Sequence, residues 1–471
     1  MAVPALTSYS AVTGQPINGG RWAGGRLTGD VALSAVAPAG TLGAQASDLS
    51  GDVVLDAVAP GGEFSSLTPV EFDLIAAGGW SWFSDERALS TADYTFVSYN
   101  TGTTGGMAAL RYRHSDGQIT SGVFSSGFTT DDHVVPTLVR LPSGTLMTYY
   151  CGNPDNFVRY RSSSSTDAVT SWSTVSTTPT TPYPIAYVSP RRLPTSGVTA
   201  LFSRCILNPA SRRQYYITTP DNGGTWGTWT EWLRPSGEAW PYLIVEQDGD
   251  RVYLLATSHH PAYGVSSVYA GYCEWSEGDG ALRFYNMAGT QLTPPFAPAE
   301  LTLIHDGTTA DGWIWDIKID TDGHPRVLFQ VISGSPYGAD NRVMFTRWTG
   351  SAFTTPVDVP GVSVGHAISP TELGGGDYIG GACFDGNDLD VVYLGIEGSG
   401  VYEMQKWRTP DNGATWAKAR DLSTGTASTY DNWRPVSPIG HPEGLAVVWC
   451  QGTYPYYDSW TAKLRGANSA G

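Results

Sequence analysis

Three consecutive residues, Asp131-Asp132-His133, set two carboxylates beside an imidazole. Imidazole is the side chain that ordinarily changes charge between pH 5 and 8. Such a group either transfers protons or stands as a hydrogen-bonded structural histidine, and the residue types leave both readings open. Arg204, in Phe202-Ser203-Arg204-Cys205, sits inside an apolar run. A guanidinium there is costly unless paired, so an internal carboxylate such as Asp131 is its expected partner. Between Arg191 and Arg234, six arginines (191, 192, 204, 212, 213 and 234) stand against two acids, Asp221 and Glu231, a local balance of +4. On a chain of net charge −17 that concentration suits an anionic sugar, with scattered solvated arginines as the plainer alternative. Tyr187, Tyr242 and His260 are of types that serve a core as well as a site, and 25 tyrosines make core packing the default for any one of them.

No metal-ligand set is expected. The five cysteines (Cys151, Cys205, Cys273, Cys383, Cys450) are odd in number and far apart, mostly in apolar runs, which reads as free buried thiols. A structural divalent cation is the one cofactor left open, although no Asp/Asn/Gly run has calcium-loop spacing. The acidic balance argues against nucleic acid and anionic membrane as partners. No apolar run is long enough to span a bilayer. Met1-Ala2-Val3-Pro4 has neither a basic nor an apolar signal region, so synthesis and folding in the cytosol are expected.

The elements that would carry these residues are strands. A turn followed by a β-rich run recurs from Asp93, Pro142, Thr195, Asp248, Asp322, Asp385 and Glu443, at steps of 49 to 74 residues. Seven copies at this spacing suit one four-stranded sheet per repeat, so the expected fold is an all-β, seven-bladed β-propeller over residues 67–471. Thr219-Pro220-Asp221-Asn222-Gly223-Gly224-Thr225-Trp226 returns almost letter for letter at Thr409–Trp416, with a worn copy at Ser165–Trp172. This Asp-box pattern is structural: Asp caps a tight hairpin, Gly accepts positive φ, and Trp packs below. Residues 1–66 differ. Gly29–Pro38 returns 22 residues later as Gly51–Pro60, a small aromatic-free unit that needs neighbours to bury a core. It resembles modules at the N-termini of bacteriophage tail fibres and tailspikes, with low-complexity linker as the alternative.

Gly78-Gly79-Trp80-Ser81-Trp82-Phe83, Asp131-Asp132-His133, His260-Pro261, Trp313-Ile314-Trp315-Asp316 and Arg347-Trp348-Thr349-Gly350 carry a further likeness. With the closing Trp433-Arg434-Pro435-Val436 and Trp449–Tyr454, they resemble the bacterial neuraminidase repeat family that includes the ulvan lyases. The resemblance spans about residues 70–462 and implies a seven-bladed propeller that, in lyase members, cuts an acidic polysaccharide by β-elimination. That reaction needs a base beside the uronate, a cation to offset the carboxylate, and an acid for the departing oxygen. By resemblance, His133 and Tyr187 serve in proton transfer and Arg204 neutralises the carboxylate; Asn153, Arg191, Tyr242 and His260 are the candidate substrate-binding residues beside them. One position departs from the family: Asn153 stands where a second histidine is expected, and an amide binds sugar but shuttles no proton.

The expected function is therefore a phage-tail-type propeller that binds and depolymerises an acidic surface polysaccharide. The alternative is a non-catalytic receptor-binding head that keeps the lyase fold. Either would reside on the virion tail, joined through residues 1–66 to other tail proteins in a homo-oligomer such as a trimer; an extracellular enzyme is the other location. A sialidase is set aside, since no Arg-Ile-Pro signature and no partner glutamate accompany the Asp-boxes.

Overall fold

The computed structural model describes residues 16–17, 21–22 and 71–468, apart from 103–104, 335–337, 369–377, 399, 424–429 and 441–443. Pro16–Ile17 and Arg21–Trp22 pair as a minimal hairpin. The 22-residue repeat lies outside the described residues.

Residues 71–468 form seven sheets in sequence, each an antiparallel meander. They occupy residues 88–125, 137–177, 185–233, 243–305, 311–358, 382–421 and 431–468. This is the seven-bladed propeller that the turn spacing predicts. Within each blade the strands are termed A to D from the axis outward. Six of the seven recurring turns fall on A-to-B connections; the seventh begins at Glu443, outside the described residues. The long step of 74 residues is explained by blade four, which adds the strands Gln291–Leu292 and Thr302–His305. Glu71–Ile75 pairs with Ser459–Asn468 and supplies the outer strand of blade seven, so the two ends of the propeller close one sheet. B strands are buried on both faces, as their unbroken apolar runs require; Tyr94–Asn100 and Arg251–Thr257 are buried from the second residue on. Among the described residues no helix is long and apolar enough to cross a membrane. All five cysteines are free and buried.

The repeated Asp hairpins join neighbouring blades. Asp221 accepts hydrogen bonds from the backbone N–H and the hydroxyl of Thr225 at 2.7 and 2.9 Å, while Gly223 N–H donates to Thr219 Oγ1. Asp411, Thr415, Gly413 and Thr409 repeat this geometry in blade six. Trp226 reaches back to the Tyr160 hydroxyl of blade two, and Trp416 packs on Phe345 of blade five. In the worn copy Asp167 is taken by Arg140 instead, yet Trp172 still packs on Phe124 of the preceding blade. The tryptophan staple thus outlives the capping carboxylate. Gly413 has φ +90, and a Cβ there would lie 1.9 Å from Phe345 Cε1. Gly413→Ala is expected to cost about 1–3 kcal/mol. Gly278→Ala, in open space, should change little. Denaturant midpoints measure both, and equal midpoints would contradict this reading.

The axis is filled by the segment 80–87. Phe83 packs on Tyr187, Tyr242 and Trp313, while Trp82 packs on Trp315 and Tyr378, so one short segment touches the inner edges of several blades. Its far end is held by charge: Glu86 pairs with Arg191, and near it Lys318 pairs with Glu246.

Candidate active site

The A strands begin at the same end of the propeller as the D-to-A loops and B-to-C connections. Among the described residues three A strands are bulged, that of blade five at Trp315, and in the other two the bulge carries a residue at positive φ. Pairing in blade three shifts between Ala186 and Ser189, and Tyr187 within the bulge has φ +64. In blade seven the shift lies between Trp433 and Val436, and Arg434 has φ +55. Left-handed backbone is strained for tyrosine and arginine, and a bulge re-aims the side chain it carries. The Ser203 hydroxyl fixes the first bulge by donating to Tyr187 O at 2.6 Å.

His133 follows the last strand of blade one. Asp131 Oδ1 accepts from both its backbone N–H, at 2.8 Å, and its Nδ1, at 2.7 Å; Asp132 Oδ1 lies 3.0 Å from the same nitrogen. The outer oxygens are engaged too. Asn153 Nδ2 donates to Asp131 Oδ2 at 2.8 Å, and Asp132 Oδ2 takes Arg434 and the Tyr454 hydroxyl, each at 2.7 Å. Burial alone would favour neutral His133, but the Asp131 and Asp132 carboxylates outweigh it and push the imidazole up to about 9. Asp132 is buried, which would raise it, yet Arg434 and His133 hold it below the usual carboxylate range.

The His133 ring stacks on Tyr187, centroids 5.1 Å apart and planes 26° apart, with the edge of Tyr457 at 5.2 Å. Burial, then Tyr242, raises the Tyr187 phenol well above its ordinary value despite nearby Arg204, so it stays protonated. Arg204 lies over the Tyr187 ring at 4.6 Å and over Tyr242 at 4.4 Å. His260 continues the row against Tyr242 at 5.5 Å. Burial, then the Arg204 cation, drives His260 well below the usual imidazole value and leaves it neutral. Its Nδ1 accepts from Ala262 N–H, so Nε2 carries the proton facing the Tyr378 hydroxyl.

His133, Tyr187, Arg204, Tyr242 and His260 therefore stand side by side, and Asn153 touches the row through Asp131. Two expectations are corrected. Arg204 is not paired with Asp131, whose oxygens are filled by His133 and Asn153; among the described residues no carboxylate lies within ion-pair distance of it. Its Nε and Nη1 are buried without hydrogen-bond partners, in a small pocket shared with Phe83, Gln214 and the two tyrosines. Arg191 lies away from the row, buried and paired with Glu86 at 3.0 Å. The arginine-rich stretch is likewise largely spent, since Arg213 and Arg234 both bind Glu231. What remains near the site is Arg204 with Arg212, which lies over Trp240 and is lowered to about 10 by burial and by Arg204.

Sequence reasoning missed Arg434. It is buried beside Asp132, between the rings of Trp82 at 4.2 Å and Tyr454 at 4.5 Å. The local signal is weak: Arg434 follows Asp431-Asn432-Trp433 and precedes Pro435, and so interrupts no apolar run. Phe83, Tyr454 and Tyr457 were not singled out because aromatics so abundant carry no positional cue.

No protein-family model and no curated protein matches the chain. Among solved structures, the propeller is similar to a polysaccharide lyase, the PL25 ulvan lyase bound to -[GlcA(1-4)Rha3S]-, with TM-score 0.64 and 13% identity over 85% of this chain and 96% of that one. A PL25 ulvan lyase structure without the sugar gives TM-score 0.63 and 14% identity with the same coverage. Polysaccharide lyase Uly1 gives TM-score 0.51 and 13% identity over 84% of this chain and 97% of that one. At such identities the likeness is one of fold: the chain is a seven-bladed propeller of the architecture seen in carbohydrate-active proteins.

Proposed function

We propose that the row from His133 to His260 binds the uronate of an acidic polysaccharide and cleaves the chain by β-elimination. The observation that carries this reading is Arg204, a buried guanidinium with two unpartnered nitrogens and tyrosines in place of a carboxylate. Such a group is costly unless an anionic ligand completes it. With the uronate carboxylate on Arg204, His133 removes the proton from the adjacent ring carbon and the enolate-like charge is held by the guanidinium. The bond from the neighbouring carbon to the glycosidic oxygen then breaks. A carbon–carbon double bond forms in the sugar, and the Tyr187 phenol gives its proton to the departing oxygen.

The test is incubation with a panel of uronate polymers, followed by ultraviolet absorbance of the new double bond. Because His133 is cationic at neutral pH, a base role makes kcat/KM rise with pH toward a midpoint near 9. A profile that is flat or falls across that range counts against the assignment, and absence of product across the panel removes it.

Asn153 favours a second reading, in which the same face binds the polysaccharide without cutting it. Attachment of residues 1–66 to a virion tail, with homo-oligomerisation, is proposed on the 22-residue repeat alone. Electron microscopy of purified particles labelled against the propeller tests that attachment.

A further inference from the structure

The opposite end of the blades carries a cleft that takes no part in the row described above. It lies between blades four and five, where their A-to-B hairpins meet, and has a volume of about 800 Å³. That is within the range of pockets built for small ligands. The Tyr253 hydroxyl of blade four donates to Gly323 O of blade five at 2.9 Å and sets the spacing of the two walls. Asp250 is anchored by Thr195 N–H at 2.9 Å.

The lining combines aromatic surface with acceptors. Half-buried Trp275 supplies the ring; Tyr272 is already stacked on Tyr285 at 5.0 Å, and Trp348 is buried beneath. Asp248, Asp250, Glu274 and Asp322 supply carboxylates, against Arg251 and His324 as the basic groups. Arg251 is already committed, lying over Tyr272 at 4.2 Å and holding Glu274 through Nε at 2.8 Å and Nη2 at 2.6 Å. Trp275 Nε1 is a buried donor with no partner. The rim is kept low by glycine: at Gly249 and Gly323, both at positive φ, a Cβ would meet nothing within 4 Å.

We propose that this cleft is a second glycan-binding site, and that it takes uncharged sugar residues. The carbon–hydrogen face of a pyranose ring suits the negative face of an aromatic ring. Carboxylates accept strong hydrogen bonds from sugar hydroxyls. The surplus of carboxylate excludes a uronate or a sulfate here, so the two ends of the propeller differ in the charge of the sugar they accept. A polymer with both neutral and acidic residues, or a surface displaying both kinds of chain, would be held at two points and gain avidity.

Calorimetric titration of the full chain with neutral oligosaccharides (gluco-, manno- and galacto-series) tests the assignment. Binding of at least one series is expected. It should weaken about tenfold or more in Asp322→Ala, on an exposed hairpin, and in Trp275→Ala, which removes the ring. It should be unchanged in Arg204→Met, whose side chain lies at the other end of the blades. Failure of every series to bind, or binding that is indifferent to both cleft substitutions, overturns the proposal. Loss of binding in Arg204→Met would place the neutral sugar at the other site and overturn it equally.

Discussion

Arg204→Met is expected to lower kcat/KM on a uronate polymer by about 10²–10³-fold, the scale for removing one preorganised donor at a developing anion. The same substitution should leave the fold as stable as before, or more so. Arg204 is buried among Tyr187, Tyr242 and Phe83, with Nε and Nη1 unpartnered. Methionine fills a similar volume and removes a buried charge that only the Tyr187 and Tyr242 rings, and no carboxylate, offset in the free protein. Initial rates of double-bond formation measure the first effect, and urea midpoints the second. A variant that keeps full activity, or one that is inactive only because it is unfolded, contradicts the assignment of Arg204 as the carboxylate partner.

Arg434→Met should behave in the opposite way. Arg434 and Asp132 are both buried and meet at 2.7 Å. Removing the cation leaves the buried Asp132 carboxylate with only His133 and the Tyr454 hydroxyl, at a cost of up to about 3 kcal/mol. It also frees Asp132 from the position in which it braces His133. Adding Asp132→Asn to Arg434→Met removes the stranded charge and should restore much of the stability. The double-mutant cycle isolates the pair. A midpoint for Arg434→Met within error of wild type would show that the pair contributes nothing. Two buried arginines are thus separated by their stability effects: Arg434 has its anion built in, and Arg204 has none among the described residues.

The fold was legible because its signals are local. A turn with its following strand recurs once per blade, and the period survives differences in every side chain that the blades do not share. Trp226, Trp416 and Trp172 were readable for the same reason: hairpin and tryptophan lie within eight residues of one another. The long step at blade four was readable, but the strands 291–292 and 302–305 that fill it were not, since they are short and carry no period.

The site was legible in part. Five of its residues could be named from motifs, but their partners could not. Asp132 meets an arginine some three hundred residues away in the chain, and Arg204 meets tyrosines from the start of two blades rather than the carboxylate its burial suggested. Arg191 and Arg204 belong to one arginine-rich stretch, yet the A strand carries the first away from the row to Glu86, while the B strand returns the second to Tyr187. Linear sequence thus specified how many sheets form and which residue types are costly to bury. Closure of the ring decided which charges are cancelled and which remain available, because ion pairing falls off over a few ångströms and only the meeting of distant blades brings groups that close.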